Sequence, residues 1–327
     1  MKGCRAVLAA LFVMAAAGLL VAEETPLETA KHAFEKGEYS KIIEILKSAS
    51  AKEPGNGDIQ LWLTRAYLEM ERYDEAVHSG ERAVAINPQS STYHKWLGEA
   101  YGGKADHASM LSAYSLARKT QKEFQIAVQL DEKNFDAVQD LIEFDCTAPG
   151  MVGGGEDKAQ VLIQKLTSMD AAEGHYGTGI CRAQKKDYPA ADAAFTKAIE
   201  NRLKSADRIY DIGDYFVQRG QAAKLIAVAD AGESLVPSDP RGKFYRALGW
   251  ILKGEKPSQA ETLLHEYLQV APLRSTYPKP WQAHYWLGRL HEVQKDPGGA
   301  KEEYKAALKL NAKYKAAQDA LKKLGGQ

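Results

Sequence analysis

Residues 57–90, GDIQLWLTRAYLEMERYDEAVHSGERAVAINPQS, contain the pattern that decides the fold. Thr64 is followed twelve positions later by Ala76, seven later by Ala83 and five later by Pro88. Seven residues are nearly two helical turns, so Ala76 and Ala83 lie on one face of one helix. Twelve residues lead into that helix from the helix before it, and Pro88 stops it. The stretch therefore predicts a hairpin of two closely packed helices.

The same spacing recurs along the chain at a period of about 34 residues. Each match places a small or apolar residue on the first helix and two more on the second, most of them followed by Pro or Ala. The matching sets are Ala30, Ile42, Ala49 and Pro54; Gly179, Ala191 and Ala198; Gly213, Leu225, Gly232 and Pro237; Leu248, Ala260, Tyr267 and Pro272; and Gly288, Ala300, Ala307 and Ala312.

This pattern resembles the tetratricopeptide repeat, whose period is 34 residues. The WLG runs at 96–98 and 286–288 and the run YDEA at 73–76 look like its signature. The resemblance implies an all-α, right-handed superhelical solenoid of about eight hairpins. A polar-faced capping helix is expected at 315–324, because a solenoid needs a soluble end. The units are expected at 23–56, 57–90, 91–134, 135–171, 172–205, 206–239, 240–274 and 281–314.

Three places depart from the regular period. The third unit has ten extra residues, which predicts a longer second helix beginning near Ala108. The fourth contains TAPGMVGGG at 147–155, and we expect a wide turn before a helix near Glu156, since no Lys-Ser or Lys-Thr of a phosphate loop follows. The linker around 275–280 holds two prolines and is the candidate to fold across the groove. The long third unit and the APGMVGGGEDKA segment together resemble a group of exported bacterial repeat proteins.

The N-terminus predicts export. Lys2 and Arg5 precede an uncharged stretch at 6–22, and two glutamates follow it. This is the pattern of a signal peptide, here 1–22 with cleavage after Ala22, and it indicates a bacterial periplasm. The alternative is an uncleaved inner-membrane anchor facing the periplasm, because seventeen residues are at the short end of a membrane span.

Composition excludes several classes of function. Lys plus Arg and Asp plus Glu each number 43, so no net basic field favours nucleic acid. We find no zinc-binding helix and no serine-nucleophile motif, and we expect no catalytic residues, cofactor or metal. Cys146 and Cys181 fall in the first helices of adjacent units, where a disulfide is permitted in an exported protein, although their offset of two residues turns the side chains apart.

One series of side chains is a candidate binding site. Three residues before the small residue of the first helix, the last four units carry Tyr, at a place that faces the inner groove in the family. The first four units carry Leu27, Leu61, Lys95 and Gln139 at this place. The candidate residues are Tyr176, Tyr210, Tyr245 and Tyr285, with Asp214, Arg289, Gln184, Gln218 and Lys253 further along the same helices. Such tyrosines either line a binding groove or pack between neighbouring helices, and the pattern leaves both interpretations open.

The sequence therefore predicts a non-catalytic, exported scaffold that binds a protein or peptide in the groove of the last four units. The Asn residues with which some members of the family grip a C-terminal carboxylate are missing. Two alternatives remain: glycan or small-molecule binding against exposed tyrosine rings, and an enzyme built on a repeat scaffold. Membrane contact is expected only if the N-terminal segment is not cleaved.

Overall fold

The computed structural model describes residues 24–325. This part of the chain folds into seventeen α-helices and one short 3-10 helix, with no β-strand. Consecutive helices pack against each other except the tenth and eleventh α-helices, where the tenth packs against the twelfth instead, so that successive hairpins stack. The predicted all-α solenoid of eight hairpins with a terminal helix is confirmed. The expected signal peptide at 1–22 lies outside the described residues.

The helices pair in chain order, an inner first helix with an outer second helix. Their bounds are α1 (Pro26–Glu35) and α2 (Tyr39–Lys52), α3 (Gly57–Glu69) and α4 (Tyr73–Ile86), α5 (Ser91–Asp106) and α6 (Met110–Leu130), α7 (Phe135–Thr147) and α8 (Glu156–Met169), α9 (Ala171–Gln184) and α10 (Tyr188–Glu200), α11 (Ala206–Gln218) and α12 (Ala222–Leu235), α13 (Arg241–Lys253) and α14 (Pro257–Val270), α15 (Pro280–Val293) and α16 (Pro297–Leu310), and the terminal α17 (Lys315–Gly325).

The small residues of the repeat pattern mark where an aromatic ring meets the facing helix. A Cβ atom on Gly179 would lie 2.4 Å from the ring of Phe195, and one on Gly288 would lie 2.4 Å from the ring of Tyr304. Both rings are fully buried. A larger residue at either glycine would therefore push the two helices of the hairpin apart.

In the irregular third and fourth hairpins, the second helices begin at or near the positions expected from the sequence. Helix α6 is 21 residues long and begins at Met110, two residues after the position expected. Helix α8 begins at Glu156. The glycine run before it is a turn, in which Gly153 has φ 108° and its carbonyl accepts a hydrogen bond of 2.6 Å from Gln121 Nε2. This contact with α6 fills the space that a ligand would need.

Cys146 and Cys181 form a disulfide between α7 and α9, with their Cα atoms 5.3 Å apart. The expectation that their side chains turn apart was wrong. Cys146 is the twelfth residue of α7 and Cys181 the eleventh of α9, so the two sulfurs lie at nearly the same height of adjacent inner helices.

Within residues 24–325, no helix combines the length and the apolar character that crossing a membrane requires.

Candidate functional site

The inner helices enclose a cavity of about 570 Å³, here named the inner chamber. Its walls come mainly from the first helices of five consecutive hairpins, α3, α5, α7, α9 and α11, with Phe34 of α1, and from the segment between α14 and α15. The lining side chains include Arg65, Glu69, Lys95, Trp96, Glu99, Asp136, Gln139, Asp140, Glu143, Tyr176, Ile180, Asp207, Arg208, Asp211, Arg274 and Ser275.

One wall of the chamber is a loop that crosses the solenoid. We name residues 271–279, between α14 and α15, the strap. Arg274 Nη1 donates a hydrogen bond of 2.7 Å to Glu35 Oε2. The backbone N–H and the hydroxyl of Ser275 donate to the Glu69 carboxylate over 2.7 and 2.8 Å. The linker predicted to fold across the groove therefore does so, and it joins the seventh hairpin to the first two.

The strap is fixed at its other end by Arg241, the first residue of α13. Its guanidinium lies 4.5 Å from the ring centre of Tyr210 and 4.3 Å from that of Tyr277. Arg241 Nη1 also donates to the carbonyl of Thr276 over 3.1 Å, and the Tyr267 hydroxyl donates to the carbonyl of Pro278 over 2.5 Å. These contacts hold the strap on the inner face of the sixth and seventh hairpins.

The chamber is acidic. Seven carboxylates line it against four cations. The carboxylates belong to Glu69, Glu99, Asp136, Asp140, Glu143, Asp207 and Asp211, and the cations to Arg65, Lys95, Arg208 and Arg274.

Two of the four cations are each held by two carboxylates. Lys95 Nζ pairs with Glu99 and lies 3.5 Å from Asp140 Oδ2. Arg208 pairs with Asp136, and its Nη1 lies 2.8 Å from Glu173 Oε1. An anionic ligand could therefore bind either cation only by replacing one of these carboxylates.

A third cation, Arg65, is covered by rings. Its guanidinium lies 4.1 Å from the ring centre of Trp62 and 4.7 Å from that of Trp96. Burial lowers the pKa of Arg65, and the nearby Arg274 lowers it further. The aromatic rings therefore cover part of this cation on the wall of the chamber.

Three lining carboxylates, by contrast, have no cationic partner. Among the residues described, no side-chain nitrogen of Lys, Arg or His lies within 4.0 Å of the carboxylates of Glu69, Glu143 or Asp211. Glu69 accepts its hydrogen bonds from Ser275 of the strap, which leaves Glu143 and Asp211. Loss of hydration in the chamber, together with the nearby carboxylates of Asp207 and Asp214, raises the pKa of Asp211 to about 7. Desolvation also raises the pKa of Glu143, with a contribution from Glu99. Both groups lie where negative charge is already in excess.

The carboxylates of α7 and α11 repeat at matching positions. Asp136, Asp140 and Glu143 are the second, sixth and ninth residues of α7. Asp207, Asp211 and Asp214 are the second, sixth and ninth residues of α11. Residues spaced by four and three share one helix face, so each helix presents an acidic column. This shared spacing is the sequence signal from which the acidic columns could have been found.

The predicted tyrosine series does not form one surface. Tyr210 and Tyr245 are each 1% exposed, and their rings stack 5.4 Å apart at 9°. A Cβ on Gly213 would lie 2.7 Å from the ring of Tyr245, so the small residue of one unit makes room for the tyrosine of the next. The packing interpretation describes this pair, and exposed rings that could stack on a sugar are not found there.

The other two tyrosines lie far from each other in the fold. Tyr176 lines the chamber and donates to Asp211 Oδ2 over 3.3 Å. Tyr285 packs at the C-terminal end against Trp286, Tyr304 and Tyr314, as part of the cluster closed by α17.

The remaining candidates lie outside the chamber. Asp214 accepts a hydrogen bond of 2.7 Å from the Tyr245 hydroxyl, and Arg289 donates to Tyr285 over 3.4 Å. Gln184, Gln218 and Lys253 are exposed at the ends of their helices. At the family's groove position, the residues that do line the chamber are Lys95, Gln139 and Tyr176, which belong to the third, fourth and fifth hairpins.

No three His, Cys, Asp or Glu side chains in residues 24–325 are grouped to hold a metal ion.

Comparison with known proteins agrees with the architecture. Models of the tetratricopeptide repeat match residues 33–100 and 252–322, and the chain therefore carries tetratricopeptide repeats. No protein of curated function matches the sequence.

Solved structures share the fold at low identity. A chain of an APC/C hetero-tetramer is 13% identical, with a TM-score of 0.50 over 91% of this chain and 55% of that one. A thermophilic tetratricopeptide-repeat protein of Thermus thermophilus is 18% identical, with a TM-score of 0.47 over 56% of this chain and 93% of that one. One from Parabacteroides merdae is 14% identical, with a TM-score of 0.43 over 91% and 97%. The first of these likenesses supports the fold and nothing beyond it.

Proposed function

We propose that this protein is an exported, non-catalytic scaffold that binds a protein or peptide on the inner face of its solenoid. Tetratricopeptide repeats typically mediate protein–protein interaction, and the inner chamber is a concave surface that several hairpins build together. The proposed binding site lies in the second through sixth hairpins, whereas the tyrosine series had placed it in the last four. No cofactor, metal or nucleic acid has a part in this proposal.

The observation that carries the proposal is the strap itself. It is an irregular stretch of polypeptide held on the inner face by both its backbone and its side chains. The N–H of Ser275 donates to a carboxylate of α3, and the carbonyl of Thr276 accepts from Arg241 of α13. Side chains that form hydrogen bonds with the backbone of one segment in this way can also bind a second peptide segment that lies beside it.

Export rests on two observations. Residues 1–22 have the pattern of a cleaved signal peptide. The disulfide between Cys146 and Cys181 is of a kind that persists in an oxidising compartment such as the periplasm. Mass spectrometry of the protein from a periplasmic fraction tests this, with Glu23 expected as the first residue. A chain that begins at Met1 and sediments with the membrane would instead support an anchor.

Selection from a displayed library of random peptides tests binding. The parent, from Glu23 onwards, is compared with Ile180→Trp, which fills the chamber from α9. The matched control is Val161→Trp, which adds the same side chain at a residue on α8 that is 66% exposed. We expect peptides enriched by the parent and the control but not by Ile180→Trp. Enrichment by all three, or by none, would contradict binding in the chamber.

A further inference from the structure

We infer that the inner chamber selects a basic peptide segment, and that it receives a lysine or arginine side chain between Glu143 of α7 and Asp211 of α11. This inference rests on the proposed function and names the class of its ligand. It follows from the pairing of charges in the chamber, from the placement of the two carboxylates beside α9, and from the way the strap is held.

The chamber carries a surplus of negative charge. The chamber has three more carboxylates than cations, and Lys95 and Arg208 are each held by two carboxylates. An anionic segment would have to displace these pairs. A cationic segment finds Glu143 and Asp211 without a cation, and adds attraction where the acidic residues now repel one another.

Glu143 and Asp211 lie on the two inner helices that flank α9. Helix α9 lies between α7 and α11 in the stack of inner helices and presents Tyr176 to the chamber. Burial raises the pKa of the Tyr176 hydroxyl, and the nearby carboxylates of Asp211 and Glu143 raise it further. The two carboxylates therefore lie on either side of one aromatic side chain. Tyr176 is 7% exposed and the guanidinium of Arg208 lies 5.9 Å from its ring centre, so the two carboxylates, rather than the ring, would contact an incoming ammonium or guanidinium.

The strap already shows this mode of recognition at the edge of the chamber. It places Arg274 against Glu35, and it places the N–H and hydroxyl donors of Ser275 against Glu69. The protein thus binds a basic residue followed by backbone and hydroxyl donors through carboxylates of its first two hairpins. Glu143 and Asp211 are available to do the same for a second chain.

Fluorescence anisotropy with a defined probe tests the inference. The probe is a fluorescein-labelled peptide of Gly-Ser-Lys repeats, and its partner is the same peptide with every lysine acetylated. The variant is Glu143→Gln with Asp211→Asn. The matched control is Asp157→Asn with Glu200→Gln, which removes the same two charges from exposed positions on the outer helices α8 and α10. Thermal melting shows that each protein is folded, and the single variants replace the double if it is not.

We expect the lysine probe to bind the parent and the control alike, and to bind the chamber variant roughly tenfold more weakly, as expected for the loss of two solvent-accessible ion pairs. The acetylated probe should bind all three proteins weakly. Equal loss in the chamber variant and the control, or equal binding of both probes, would overturn the inference.

The peptide selection separates the two proposals. Chamber-dependent peptides rich in lysine and arginine would support both. Chamber-dependent peptides that are neutral or acidic would leave the proposed function standing and overturn the basic specificity. If no peptide depends on the chamber, the proposed function fails and the inference fails with it.

Discussion

The guanidinium of Arg274 lies 2.7 Å from the carboxylate of Glu35, although 239 positions of sequence separate the two residues. This contact and the two hydrogen bonds from Ser275 to Glu69 close the solenoid across its own groove. Repeat proteins usually contact only neighbouring units. Here the strap connects distant ones, and it makes an enclosed chamber from what would otherwise be an open groove.

Removal of the strap's charged contact should loosen the closure without unfolding the chain. Arg274→Ala loses a partly exposed ion pair of the kind that stabilises by up to about 1 kcal/mol. We expect faster hydrogen exchange in residues 271–279 and unchanged exchange in the helical core. The control is Lys305→Ala, which removes an exposed pair with Glu302 inside one helix. Unchanged exchange in the strap of Arg274→Ala would show that Arg274 does not hold it.

The pKa of Asp211 predicts a pH dependence of stability. Folding raises this pKa from 3.8 to about 7, so between these values the folded state binds more protons than the unfolded state. The contribution to stability is therefore fully present below pH 3.8 and is lost as pH rises through about 7. The charged groups that face Asp211 are Asp207 and Asp214 on its own helix and Arg241 on α13, and Tyr176 on α9 donates to it.

Asp211→Asn should raise the melting temperature at about pH 8, where the ionised carboxylate opposes folding, and should have a smaller effect at about pH 5, where the carboxyl is protonated. Thermal melts of the parent, Asp211→Asn and the exposed control Asp157→Asn measure this. A decrease at high pH, or the same shift at both pH values, would be incompatible with the raised pKa.

Loss of the disulfide should destabilise the chain. Cys146 and Cys181 are 35 positions apart, and a cross-link over a loop of this length stabilises by about 3 kcal/mol. We expect Cys146→Ser with Cys181→Ser to lower the free energy of unfolding by about this amount in urea titrations. Addition of a reducing agent should destabilise the parent to the same level and leave the double variant unchanged. A parent insensitive to reduction would show that the bond does not form.

Loss of one of the two stacked tyrosine rings should lower the stability of the fold. Tyr245→Ala removes a ring that is 1% exposed, and truncation of a buried aromatic residue costs about 3 kcal/mol or more. The control is Tyr114→Ala, at a ring that is 41% exposed, with an expected change below about 0.5 kcal/mol. Thermal melting distinguishes them. If the Tyr245→Ala protein were as stable as the parent, Tyr245 would be a groove-facing residue and not a packing residue.

The architecture could be predicted from the sequence because it depends on local spacing. Small residues such as Gly179 and Gly288 recur opposite a bulky residue of the next helix, and that contact is made within one hairpin. The start of α8 at Glu156 followed from the glycine run for the same reason.

The site could be predicted only in part, because it depends on contacts between distant hairpins. The spacing did not distinguish Tyr176, which lines the chamber, from Tyr210, which Arg241 covers. The sequence suggested that the linker crosses the groove, whereas the carboxylates that hold it, Glu35 and Glu69, were not foreseen. Pairing over more than two hundred positions leaves no periodic signal in a single sequence.

Site-specific photocrosslinking shows directly whether a basic peptide lies inside the chamber. A diazirine amino acid of about the size of isoleucine, which leaves the chamber open, replaces Ile180, which lines the chamber, or Val161, which is exposed on the outer helix α8. Each protein is irradiated with the lysine probe or its acetylated partner, and the adducts are read by mass spectrometry. We predict an adduct at position 180 with the lysine probe alone and none at position 161. Equal adducts at the two positions, or an adduct at position 161 alone, would contradict the account.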